Sequence, residues 1–436
     1  MKEICLNSFI NVDPSEWLLD LLPKSFCMNT LSLEEFSNDS FFDRESKISQ
    51  TVLFGAGISS SIGQHAKSLG NHALLVSDPG IRAAGHLDRV QGLIEDANVR
   101  VTVFDQSIEN PTESSVARCA MIARDAKVDL IVGLGGGSSM DTAKGCNFLL
   151  TNGGKMEDFW GVGKARLPML PLIAIPTTAG TGSECQSFAL ISHDQTHAKM
   201  ACGDTKALPA ITLLDPELTF SQPASVTACT GIDALAHALE SAVTRKRCEL
   251  SSRHAKIAFQ LLNQSLPVVF NNPNDLGARG GTLLGASHAG AAIEQSMLGA
   301  AHSMANPLTA MYGTIHGVAV GLALPWIMKF NAEESECRNI YADFAKDAGI
   351  AKMDCSDEDG SNILIRRVKE LLDLAKLSTY HNNMNFEIAA IPELSLAASK
   401  QWTAGFNPRD IDAQEFECLY TQLFQNLSKT PIIQRG

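Results

Sequence analysis

The chain has no apolar run approaching the roughly 20 residues that a membrane-crossing helix needs, so no such helix is expected. Its opening stretch, MKEICLNSFINVDPSEW, lacks the basic residues followed by a continuous apolar segment that mark a secretory leader, and the cytoplasm is the expected location. Eleven cysteines are present, but the number is odd and no C-x-x-C pair occurs. That usage fits reduced thiols packed as small core residues, not a disulfide framework or a structural zinc knuckle. Excess positive charge is missing as well. With 35 basic and 48 acidic residues the formal charge is -13, which disfavours broad contact with nucleic acid or an anionic membrane and leaves small molecules as the expected partners.

What is present is length and apolar content enough for more than one core. A chain of 436 residues exceeds what a single core usually organises, so two domains with a cleft between them are expected. Residues 1–48 mix polar stretches with aromatic pairs, as in NDSFFDRES, show no period, and read as an N-terminal extension. The texture then changes to short apolar runs alternating with helix-like stretches: TVLF, HALLVS, VRVTVFD, VDLIVGLGGG and PLIAIP. That rhythm predicts a Rossmann-like α/β domain with a parallel sheet over residues 49–216. After ITLLDPELT the strand signals fade into Ala/Leu-rich sequence with loops at NNPND and GTIHG, which predicts an all-helical domain over residues 217–436. No internal repeat of fixed period is present.

The run LIVGLGGGSSMDTAKG reads as a strand, then Gly135, Gly136, Gly137 and Ser138, then a helix beginning near Met140. Glycines let backbone amides approach an anion closely, and a helix N-terminus adds unpaired N–H groups and the positive end of its dipole. Alone, the turn fits a ligand-free strand-to-helix connection nearly as well. A second loop, IPTTAGTGSE, places Thr177, Thr178, Thr181 and Ser183 around Gly180 and Gly182 after another strand, and the two loops together suggest one long phosphate-bearing ligand. The first turn, LFGAGISSSIG, does not have the G-x-G-x-x-G spacing of the dinucleotide fingerprint. Asp78 in LLVSDPG stands just after the second strand, where a carboxylate accepts from ribose hydroxyls and repels a 2'-phosphate, favouring NAD over NADP. An Asp before Pro-Gly is also a common turn former.

In TGIDALAHALE, Asp233 and His237 lie four apart and therefore share one helix face, a spacing that suits two ligands of one metal. A buried hydrogen-bonded Asp/His pair is the plain alternative. Downstream, LGAAHSMANPLTAMYGTIHGVAVG adds His302 and, beyond an expected helix break at Asn306-Pro307, His316. One carboxylate and three imidazoles make a set that suits Fe(II) or Zn(II), whereas an all-oxygen shell would suggest Mg or Ca. The other histidines show no comparable pairing. His288 in LLGASHAG lies on a helix shortly before His302, where a packed core residue is the favoured reading and a place in the same cavity the sharper one.

The segments GGGSSMDTAK, PTTAGTGSE, TGIDALAHALE and HSMANPLTAMYGTIHGVAVGLALP together resemble the iron-containing (group III) alcohol dehydrogenases, in the right order over about residues 50–331. The resemblance implies the dehydroquinate synthase-like fold: a dinucleotide-binding α/β domain, a helical domain, and NAD(H) and metal in the cleft between them. It implies metal ligands Asp233, His237, His302 and His316. On the cofactor side it implies Asp78 at the adenosine ribose, Asn110 of ENPT near the cofactor, Gly136, Gly137 and Ser138 at the pyrophosphate, Thr177, Thr178 and Thr181 at the phosphates and nicotinamide half, and Lys199 at the ribose. Thr142 and Ser183 are weaker carry-overs. A homo-oligomer, a dimer above all, is implied too. Two departures stand out: Asn306 occupies a position near the substrate where many members have a histidine, and an amide cannot exchange a proton at ordinary pH; and the extension before residue 50 is longer than usual.

The activity so implied is hydride transfer between NAD(H) and a small alcohol/carbonyl pair. Other enzymes of the superfamily remain open: a glycerol dehydrogenase, a hydroxyacid-oxoacid transhydrogenase, or a dehydroquinate synthase, which would need basic residues for a phosphorylated substrate. Arg245, Lys246 and Arg247 in TRKRC are candidates for that role, or simply a solvated helix end. A non-catalytic metal- or nucleotide-binding protein is the alternative from another class.

Overall fold

The computed structural model describes residues 50–196, 198–377 and 386–429, so the N-terminal extension lies outside the described residues. Its first half contains strands β1 (Thr51–Phe54), β2 (His72–Val76), β3 (Arg100–Phe104), β4 (Leu130–Gly135), β5 (Gly161–Val162), β6 (Leu172–Pro176), β7 (Phe188–Ser192), β8 (Lys199–Gly203) and β9 (Ile211–Leu214). Between them run helices α1 (Ile62–Leu69), α2 (Pro79–Ala83), α3 (His86–Asp96), α4 (Glu113–Ala126) and α5 (Gly137–Asn152). Six strands form a parallel sheet in the order β1-β9-β6-β4-β2-β3. β2, β4 and β6 are buried at every residue, as expected of strands whose crossovers cover both sheet faces. One face packs Leu74, Val76 and Phe104 with Val116 and Cys146, and the other packs Leu75, Val132 and Ile175 with Val90 and Ile94.

A second, three-stranded sheet of order β5-β8-β7 was not anticipated. Its strands FALIS and KMACG pair antiparallel, and each is only five residues long, too short to stand out beside the glycine and threonine loop that precedes them.

No strand follows Leu214 among the described residues; the chain continues as α6 (Ala224–Ser241), α7 (Glu249–Asn271), α8 (Leu276–Ser296), α9 (Ala300–Tyr312), α10 (His316–Asn331), α11 (Ser335–Asp347), α12 (Asp357–Leu374), α13 (Ile391–Ser399) and α14 (Ala413–Lys429). Gly231–Ser241 of α6 and Ala278–Ile293 of α8 are buried on all sides, the behaviour of helices that cross the interior instead of lying on it. Small residues allow that closeness: a Cβ on Gly281 would meet Ser265 Oγ at 2.1 Å and one on Gly285 would meet Leu262 Cγ at 2.9 Å.

Two expected boundaries move. α5 begins at Gly137, not near Met140: Gly136 is its extended N-cap, and Gly137, Ser138, Ser139 and Met140 make the first turn. The break expected at Asn306-Pro307 does not occur. Pro307 sits inside α9, whose buried Met304, Ala305 and Leu308 hold the helix through the lost hydrogen bond, and the chain turns instead at Gly313, whose φ of 65° terminates the helix.

Candidate active site

Three helix segments bring the four expected metal ligands together. Asp233 and His237 come from the buried middle of α6, His302 from the first turn of α9, and His316 is the first residue of α10. Around Asp233 Oδ1 stand three Nε2 atoms: His237 at 3.4 Å, His302 at 3.4 Å and His316 at 3.7 Å. Four donors at tetrahedral corners about 2.1 Å from one cation lie about 3.4 Å apart, so the spacing fits a transition metal. The donor atoms of Asp233, His237 and His302 all lie within 4.8 Å of one another; His316 closes the group from the cleft side, with 31% of its side chain exposed. Asp233 Oδ1 and His302 Nε2 are buried and make no hydrogen bond. Buried polar atoms seldom go unsatisfied in a finished core, and here they face each other around a common point.

The electrostatics match. Burial opposes the charge on Asp233, but His237, His302 and His316 hold its carboxyl well below the usual range. Burial lowers His237, and it lowers His316 to about 3, with Lys199 and the neighbouring imidazoles adding to the effect. His302 goes the other way: burial would lower it, but Glu240 and Asp233 lift it to about 9. Glu240, seven residues after Asp233 on α6, accepts from His302 Nδ1 and, at 2.7 Å, from the Ala301 amide. With Nδ1 donating to Glu240, the Nε2 proton favoured by the raised pKa points into the site, where a bound metal would displace it, the carboxylate–histidine arrangement that orients metal-binding imidazoles. Sequence reading missed Glu240. It ends the very segment TGIDALAHALE, and a buried carboxylate three residues after a candidate ligand histidine was the available signal.

All nine expected cofactor residues, Asp78, Asn110, Gly136, Gly137, Ser138, Thr177, Thr178, Thr181 and Lys199, line one cavity of about 840 Å³, together with the four candidate metal ligands. α5 starts in that cavity with Gly136 at its N-cap and no side chain capping its amides, which leaves the helix's positive end open to an anion. The two glycine-bearing loops interlock: a Cβ on Gly136 would lie 3.2 Å from Thr178 Oγ1, and one on Gly137 only 2.7 Å from Thr181 Cγ2. Thr177 Oγ1 is buried without a partner. Asp78 serves the turn role and faces the cleft: Oδ1 accepts from the Ile81 amide at 3.0 Å, and Oδ2 from Ser139 Oγ at 3.1 Å, beside the phosphate-type turn. Asn110 adopts the left-handed conformation, with φ of 51°. Asp141, also in the lining, was not singled out from sequence; burial raises its carboxyl to about 6 against the pull of Lys144, Ser183 and Lys199.

Other candidates fall elsewhere. Asn306 is absent from the cavity lining, and its amide donates to Gln401 Oε1 at 3.0 Å. Thr142 is fully buried and donates back to the Ser138 carbonyl at 2.8 Å, while Ser183 does line the cavity. His288 packs with its Nδ1 2.8 Å from that of His254, away from the cavity. The basic run TRKRC lies in the connection between α6 and α7: Arg245 pairs with Asp410, Arg247 with Glu336, and Lys246 lies over the Phe406 ring. A second His/carboxylate group, Glu113, Glu157 and His193, has the wrong proton placement for a metal. His193 Nδ1 accepts from the Gln195 and Thr196 amides, so the neutral ring carries its proton on Nε2, where it donates to Glu157 at 2.9 Å.

Comparison with known proteins gives consistent matches. The family description "Iron-containing alcohol dehydrogenase" matches residues 49–216, and "Fe-containing alcohol dehydrogenase family, C-terminal" matches residues 227–424. Alcohol dehydrogenase 4 of Schizosaccharomyces pombe is 37% identical over 321 residues, covering 73% of this chain and 75% of that protein. The NAD-dependent methanol dehydrogenase of Bacillus methanolicus is 33% identical over 280 residues, 64% of this chain and 74% of the relative. Among solved structures, 1,3-propanediol oxidoreductase superposes with a TM-score of 0.83 at 28% identity, over 86% of this chain and 98% of that one.

Proposed function

The chain belongs to the iron-containing alcohol dehydrogenase family, with its dehydroquinate synthase-like fold, and is an NAD(H)-linked alcohol dehydrogenase/aldehyde reductase; on that premise we propose that its α/β region (residues 49–216) binds NAD(H), its helical region (217–436) holds Fe(II), and a small neutral alcohol or aldehyde reacts between them. The observation that carries the metal assignment is the convergence of three imidazole Nε2 atoms on the unpartnered Asp233 Oδ1. When bound, the metal supplies Lewis acidity toward the substrate oxygen, and the nicotinamide supplies or accepts hydride.

Each residue then has a definite task. Asp233, His237, His302 and His316 hold the metal, and Glu240 keeps the His302 proton on Nδ1. The amides of Gly136, Gly137 and Ser138 at the start of α5 and the hydroxyls of Thr177, Thr178 and Thr181 bind the phosphates and orient the nicotinamide, while Asp78 and Lys199 take the ribose hydroxyls. Burial raises the Asp141 carboxyl to about 6, so it takes up a proton as pH falls through that value and is ionised above it. Val226, Cys229, Ile293, Leu298 and Phe188 give the same cavity apolar lining. Among the described residues, Lys199 is the one Lys or Arg lining the cavity, which favours an uncharged substrate over one bearing phosphonate, sulfonate or carboxylate.

A homodimer in the cytoplasm completes the reading, with Zn(II) as the other metal the donor set accepts. The experiment is metal analysis of the purified protein together with NADH oxidation over a panel of neutral and anionic aldehydes. Bound iron and turnover confined to small neutral aldehydes are expected. A protein that binds neither metal nor NADH, or that turns over only anionic aldehydes, would refute the reading.

A further inference from the structure

Lys144, in the third turn of α5, has no exposed surface. All three protons of its ammonium are donated: to the Ser183 carbonyl at 2.5 Å, to Ser183 Oγ at 2.9 Å and to the Phe188 carbonyl at 3.0 Å. Ser183 Oγ in turn donates to Asp141 Oδ1 at 3.1 Å. Opposite, Glu294 of α8 accepts from the Ser187 amide at 2.9 Å and from Ser187 Oγ at 2.7 Å. The segment Ser183–Phe188 is therefore held from the α/β side by a cation and from the helical side by a carboxylate. Just upstream, Gly182 is pressed against α8, where a Cβ would lie 2.6 Å from Gly290 Cα, and Gly180 against α6, 2.4 Å from Thr230 Cβ.

An ammonium buried this deeply carries a large desolvation cost, which its three hydrogen bonds must offset. Lys144 is connected to two parts of the site: the loop whose Thr178 and Thr181 interlock with Gly136 and Gly137, and the backbone of Phe188, whose side chain lines the cavity. We propose that Lys144 is a positioning residue of the reaction, holding the Thr177–Ser183 loop against the phosphate-type turn and Phe188 at the cavity wall, so that nicotinamide cofactor affinity depends on a side chain that does not itself line the cavity. This inference rests on the cofactor site proposed above.

The test is fluorescence titration of NADH against the full-length, metal-loaded protein, with metal content, Tm, kcat and KM measured on the same samples. Lys144→Met keeps the volume and removes the charge and its three hydrogen bonds. The Kd for NADH of the folded, metal-loaded protein should rise about tenfold or more, with metal content close to that of the parent and Tm lowered by the two carbonyls left without a donor. A Kd within about twofold of the parent overturns the proposal, including the case in which metal content and Tm fall together while the metal-loaded fraction binds NADH normally. If Lys144→Met does not fold, Ser183→Ala removes one acceptor and the link to Asp141 while keeping the ammonium, and the Kd should then rise about threefold; an unchanged Kd has the same overturning force. Gly137→Val, which collides with Thr181, separates the two ideas. Normal NADH binding by that variant refutes the cofactor site and the Lys144 role together, whereas lost binding by Gly137→Val beside normal binding by Lys144→Met refutes the Lys144 role alone.

Discussion

The two halves of the cleft are built on opposite principles. The proposed metal end rests on four particular side chains on three helix segments, braced by one buried carboxylate. The proposed cofactor end rests on backbone amides, absent Cβ atoms and hydroxyls, so that its specificity would lie in where the chain runs. A side-chain site should fail when a side chain is removed. A backbone site should tolerate such losses and fail when a side chain is added.

The largest effect should come from His302→Ala, which removes a first-turn ligand of α9 without emptying a large core volume. Metal content and turnover should both collapse while circular dichroism stays that of the parent, and a variant with full metal and activity would dissolve the contrast. Next is Asp141→Asn, at the seam between the halves. With a folded pKa of about 6 against about 4 unfolded, the folded state holds a proton that the unfolded state has released. The contribution of this group to stability is therefore complete below about pH 4 and is lost as pH rises through about 6, by up to roughly 3 kcal/mol. Asp141→Asn should flatten that part of the pH dependence and raise Tm at pH 7; identical Tm curves over pH 4 to 7 would contradict it.

Glu240→Gln should weaken metal affinity by roughly 10–100-fold, because a neutral amide orients His302 less strongly. Competition with a chelator measures the change, and an unchanged affinity would reduce Glu240 to packing. The smallest expected effect is at Asp78, the carboxylate proposed to face the adenosine ribose. Asp78→Gly should shift the NADH over NADPH preference in kcat/KM by about tenfold toward NADPH, by removing the repulsion of a 2'-phosphate. Equal kcat/KM for the two cofactors in the parent would remove the role given to Asp78.

Much of this was legible before any coordinates. Short continuous apolar runs alternating with helix-like stretches pointed to the strands of the parallel sheet, and Asp233 and His237 reveal their shared face through an interval of four, because both signals are local in the chain. Less legible were the helix through Pro307, which packing around Met304 and Leu308 sustains, and the β5-β8-β7 sheet, whose strands depend on one another for their edges. Spacing also did not reveal the surroundings of Asn306: a helix turn beyond His302, its amide donates to Gln401, and it is absent from the lining of the cavity.

The amino-acid order by itself determined which residue types were available for chemistry, the parallel α/β rhythm followed by helices, and the four segments that carry the family likeness, since these are written in composition, periodicity and short spacing. Only the tertiary structure decided that Glu240 would brace His302, that Lys144 would hold the loop facing the cofactor turn, and that basic residues 245–247 would face solvent. The physical reason is the same in each case: a hydrogen bond or ion pair acts over a few ångströms in space, and residues 39, 62 or 165 positions apart in the chain become neighbours only when whole helices and strands have packed.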